Sequence, residues 1–66
     1  MELTVNGEPI QVTNVATVGD LLDHFRVQHQ AVAVIANGDI VGRDIFSQFS
    51  IQDGDTIEII RFVGGG

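Results

Sequence analysis

The chain opens on an alternation of apolar and polar positions. Leu3 and Val5 fall on one side of an extended segment, Glu2 and Thr4 on the other, so residues 1–6 predict a half-buried strand. Asn6-Gly7 closes it with a pair that tolerates the positive φ of a two-residue hairpin turn. A second strand follows, with Ile10 and Val12 inward. Pro9 near its start has no N–H to give, which suits a sheet edge. The period then changes. Val18, Leu21, Leu22 and Phe25 recur at helical spacing, which predicts an amphipathic helix with Phe25 in the core and an end near His29. Thr17 and Asp20 form a capping-box pattern at its start. Ala31–Ala36 is a continuous apolar run of strand length, bounded by Asn37-Gly38, and reads as a strand covered on at least part of both faces. Residues 39–44 read as a turn, a short strand and an exit. Residues 45–49 read as a short helical turn, and Asp53-Gly54-Asp55 as a tight turn. Thr56 to Val63 alternates again, with Ile57 and Ile59 on one face and Glu58, Ile60 and Phe62 on the other.

The order is ββαββ, with a short helical element before the final strand. It predicts an α+β fold in which one main helix covers one face of a sheet. The other face is left to water or to a partner. Ile60 and Phe62 would project there, and a cluster of exposed apolar side chains is the usual mark of an interface. These two are the candidate partner-binding residues.

Sixty-six residues predict a single domain, residues 1–63, followed by a flexible tail of Gly64, Gly65 and Gly66. A chain of this size buries only roughly 60% of its unfolded surface, so its stability is modest. Cysteine is absent, which excludes disulfides, thiolate metal sites and a thiol nucleophile. No run approaches the ~18 apolar residues of a membrane span, and no basic, apolar signal segment opens the chain. The expected location is the cytoplasm. Nine acidic residues against three arginines and no lysine give a formal charge of −6, which argues against nucleic-acid binding. It favours partner proteins with basic surfaces, or simple solubility.

Candidate chemistry lies at the end of the chain. A glycine tail has no side chains to pack, and it can enter a channel that any Cβ would block. Its four last residues reach at most ~13–14 Å, with one unhindered α-carboxylate at the tip. That is the design of a carrier whose C-terminus is the reactive group; the plain alternative is a frayed end. No catalytic side chain is expected. His24 and His29 sit on or near the helix, where a surface role fits better than catalysis. Asp53 and Asp55 flank a turn glycine, and turn chemistry accounts for them better than a cation site does. Arg43 and Arg61 are isolated positive groups, read as surface ion-pairing residues or as contacts to an acidic patch on a partner.

Taken in order, several segments are similar to the thiamine-biosynthesis sulfur carriers of the ubiquitin-like β-grasp superfamily. They are Asn6-Gly7-Glu8, Thr17 to Leu22, Ala36-Asn37-Gly38, Ile40-Val41-x-Arg43, Gln52 to Asp55 and Phe62 to Gly66. Gly42 departs from the pattern, where proline is expected before the arginine. The resemblance implies a mixed sheet of up to five strands, with the first and last parallel and adjacent at its centre. It also implies an activity. The Gly66 carboxylate would be adenylated by an E1-like adenylyltransferase using ATP and Mg²⁺. Sulfur from a cysteine-desulfurase system would then convert it to a thiocarboxylate, which donates sulfur to thiazole synthase. The protein would thus be a substrate and not an enzyme, with no cofactor of its own. Two other readings stay open: the small subunit of molybdopterin synthase, and a ubiquitin-like protein modifier.

Overall fold

Two Asn-Gly turns set the register of the sheet. In the computed structural model, which describes residues 1–62, Asn6 and Gly7 have φ of 51° and 83°, and Asn37 and Gly38 have 51° and 88°. Positive φ at both central residues defines a type I′ turn, whose twist matches that of the flanking strands. The first turn joins β1 (Glu2–Val5) to β2 (Glu8–Gln11), and the second joins β3 (Val32–Ala36) to β4 (Asp39–Val41). The last strand, β5 (Thr56–Arg61), runs between the two hairpins. The sheet order is β2-β1-β5-β3-β4, with β5 parallel to β1 and antiparallel to β3. The expected mixed sheet with its first and last strands paired at the centre is therefore present, and Pro9 lies on an edge strand. The parallel ladder is short. Beyond it the Asn6 side chain stands in for another strand residue. Its Oδ1 accepts from the Ile59 N–H at 2.8 Å, and its Nδ2 donates to the Ile59 carbonyl at 3.3 Å.

Helix α1 (Val18–His24) packs on one face of this sheet. The capping box is formed: the Asp20 N–H donates to Thr17 Oγ1 at 3.1 Å, and the Thr17 N–H donates to Asp20 Oδ2 at 3.1 Å. Ala16 adds its N–H to the same carboxylate oxygen at 2.9 Å. The remaining free N–H groups of the first turn donate to backbone elsewhere, Val18 to the Phe49 carbonyl and Gly19 to that of Phe46. The segment after β4 is thereby tied to the start of the helix, which matters because nothing else in its sequence is regular. Val18, Leu21 and Leu22 meet Leu3, Val5, Val32, Val34 and Ile57 in the core, and Val12, Phe46 and Ile51 close its ends.

Two expectations need correction. Phe25 is not in the core but 37% exposed, because the helix stops at His24 and Phe25 is its C-cap. The turn there is a Schellman motif. Val27 donates to the Leu22 carbonyl and Arg26 to that of Asp23, with Arg26 at φ 59°. A helical spacing of i+7 has no meaning past such a turn. His29 instead begins a separate 3₁₀ turn, His29–Ala31. The helical turn expected at 45–49 is present, with the Phe49 and Gln48 N–H groups donating to the Ile45 carbonyl at 2.8 and 2.9 Å, and a 3₁₀ turn at Arg43–Ile45 leads into it; Phe46 is buried, while Ile45 is exposed. Gly42 has φ −63° and ψ 141°, a backbone conformation open to proline, although a Cβ there would meet Asp44 Oδ1 at 2.7 Å and require that side chain to move.

Candidate functional site: the open sheet face and the root of the tail

Register decides what the uncovered face presents. Val34 pairs with Val41, and both are buried under the helix, so their neighbours Ile35 and Ile40 pair on the opposite face. In the same way Val34 opposes Ile59, while Ala33 opposes Ile60 on the open side. Ile60 is 48% exposed, Phe62 55% and Ile40 82%. Phe62 is held at the end of β5 by its N–H, which donates to the Ala31 carbonyl at 2.9 Å. Ile60 and Phe62 thus share one face with Ile35, Ala33 and Ile40. Ile40 is absent from the partner-binding residues named from sequence, yet the signal was there. A two-residue turn at Asn37-Gly38 fixes Ile35 opposite Ile40, and the burial of Ala36 sends that pair outward. The candidate reactive residues Gly64, Gly65 and Gly66 lie outside the described residues, as does the end of the expected last strand at Val63.

The root of the tail is where β5 meets the end of α1. A hollow of about 220 Å³ is lined there by Arg26, Val27, Gln28, Ala31, Arg61 and Phe62. A second, of about 360 Å³, adjoins it and is lined by Val5, Asn6, Phe25, Val27, Ile59 and Arg61.

Several ionisable groups elsewhere have structural partners. His29 Nε2 lies 2.9 Å from Asp23 Oδ1, with its ring edge-on to Phe46. His24 stands edge-on to Phe25 at 5.1 Å between ring centres. Asp53 Oδ1 accepts from the Glu2 N–H at 2.6 Å, and Asp55 Oδ2 from the Gln52 N–H at 2.9 Å, with Gly54 between them at φ 89°. Both carboxylates serve the turn that fastens β5 to β1. The Ala16 N–H, and after it the Thr17 N–H, hold the Asp20 carboxyl below its ordinary pKa. Among the described residues no group of three or more His, Asp or Glu converges as a metal site would.

A family model described as the ThiS family matches residues 3–66. The chain belongs to the ThiS family. It is similar over its whole length to a solved thiamine biosynthesis protein (ThiS) from Geobacter metallireducens, with 39% identity, full coverage of both chains and a TM-score of 0.84. The β-grasp fold is thereby established. It is also 34% identical to the sulfur carrier protein ThiS of Bacillus subtilis over 97% of this chain and 98% of that one. A thiazole synthase of Paramagnetospirillum magneticum is 39% identical over all of this chain, which spans only 20% of that protein. A ThiS-like stretch therefore also occurs inside a much longer polypeptide.

Proposed function

We propose that this ThiS-family protein is a sulfur carrier of thiamine biosynthesis whose reactive group is the Gly66 carboxylate. The observation that carries the reading is likeness along the whole chain, at similar length, to a protein named for that role. The chemistry is consistent with a body that supplies no catalytic side chain. A carboxylate is a poor electrophile. Its oxygen attacks the α-phosphorus of ATP on an E1-like adenylyltransferase, expels pyrophosphate and gives an acyl-adenylate. A cysteine-desulfurase system supplies the sulfur as a persulfide, a thiol reductant brings it to the oxidation level of hydrosulfide and is itself oxidised to a disulfide, and the sulfur then adds to the acyl carbon. AMP leaves, and a thiocarboxylate remains. Glycine is the least hindered acyl group for both steps, and the absence of lysine removes side-chain amines that would capture the activated acyl carbon. The ATP and Mg²⁺ belong to the activating enzyme.

Thiazole synthase is the proposed acceptor, supported by the relative in which a similar stretch and that enzyme are one polypeptide. Ile60 and Phe62, with Ile40, form the proposed docking face for these enzymes. Removing Gly65 and Gly66 is expected to abolish ATP–pyrophosphate exchange with the adenylyltransferase while leaving the thermal midpoint nearly unchanged. Normal exchange by the shortened chain would overturn the assignment of the reactive group.

A further inference from the structure

Three cations stand against nine acidic residues in this chain, and two of the three line one hollow. Arg26 comes from the turn that ends α1 and Arg61 from the last residue of β5, so the fold brings together groups far apart in sequence. Phe62, one of the open-face residues and the last of the described residues, lines the same hollow. The floor continues into the adjoining hollow through Val27, shared by both, to Val5, Ile59 and Phe25. Arg26 also occupies its position at a cost. Its φ is 59°, a left-handed conformation that glycine adopts freely and a side chain resists. Among the described residues the one ion pair is His29–Asp23, so neither arginine is used to stabilise the fold in that way.

Resting on the reading of this chain as a carrier for thiazole synthase, we propose that Arg26 and Arg61 form a cationic lip that docks an acidic segment of that enzyme, an apolar side chain flanked by carboxylates, beside the entrance that receives the tail. The charge arrangement argues for this occupant. The body as a whole repels an acidic surface, and the lip is a local exception at the one place where the tail must be aligned. Such an arrangement sets orientation and speeds productive encounter more than it adds affinity. The apolar floor takes the flanking side chain.

The test is the association rate of the full-length chain with the thiazole synthase of the same organism, for wild type, Arg26→Gly, Arg61→Gln and the double variant, across a salt series. The double variant is expected to associate about tenfold more slowly at low ionic strength, the difference closing toward ~0.5 M salt. Arg26→Gly is expected to slow association while raising the thermal midpoint, a combination that a purely structural arginine would not produce. Equal rates for all four proteins overturn the lip. A wild-type chain that does not bind the enzyme at all overturns the carrier reading, and the lip falls with it. The nearest competing occupant is the chain's own terminal carboxylate. Its pKa, followed by NMR, is expected to be the same in wild type and double variant; a rise in the double variant would mean that the arginines hold the tail, and would overturn docking of a partner there.

Discussion

At the scale of single residues, the end of α1 shows how one backbone angle redirects a side chain. Arg26 at φ 59° turns the chain out of the helix, so Phe25 caps the helix instead of entering the core. Phe25→Ala is therefore expected to cost about 1 kcal/mol in a denaturant melt, against the ~3–5 kcal/mol of a buried phenylalanine. A loss in the higher range would mean that Phe25 is packed like a core residue. Asp20 offers a test with a sign. Its folded pKa lies below the ordinary value of 3.8, because the Ala16 and Thr17 N–H groups bind the charged form. The stabilisation is complete above the unfolded value and disappears as pH falls through the lower, folded one. The difference in thermal midpoint between wild type and Asp20→Ala is thus expected to be widest near neutral pH and to narrow in acid. A gap that stays constant down to the acid limit would show that the carboxylate's charge is not what caps the helix.

At the scale of elements, alternation and turn chemistry were legible because the physics is local. Asn6-Gly7 and Asn37-Gly38 adopt the turns that their tolerance of positive φ requires, and the Leu3/Val5 and Ile57/Ile59 faces turn inward as their spacing demands. The end of the helix was not legible, because an arginine in the left-handed region gives no sequence signal. Nor was the full burial of Phe46 and Ile51, which follows from the backbone bonds of Gly19 to Phe46 and Ile51 to Ala16, contacts between distant segments. Of the candidate face, Ile60 and Phe62 could be read from alternation in one strand, whereas Ile40 needed the register between two. Because all three are exposed, Ile40→Asp and Phe62→Asp are expected to leave the far-UV circular dichroism spectrum unchanged. Each is expected to weaken binding to the adenylyltransferase or thiazole synthase by about 2 kcal/mol, on the order of thirtyfold. Calorimetric titrations that match wild type for both variants would remove the open face from the proposed interface.

At the scale of the whole molecule, the parts divide the labour. The β-grasp body brings together no group of three or more His, Asp or Glu among its described residues, and its sheet offers an apolar face near the end of β5. In the proposed account, work on substrate is left to enzymes, and the body's task is recognition. That division makes one consequence unavoidable: the chemical change must appear on the carrier itself. Intact-mass analysis of the protein isolated from its own organism, grown without thiamine, reads that change directly. The account predicts a population heavier by the exchange of one oxygen for sulfur, with fragmentation placing the added mass on Gly66. Protein whose C-terminal mass shows only the carboxylate under those conditions, with Gly66 instead found in amide linkage to lysines of other proteins, would contradict the carrier reading.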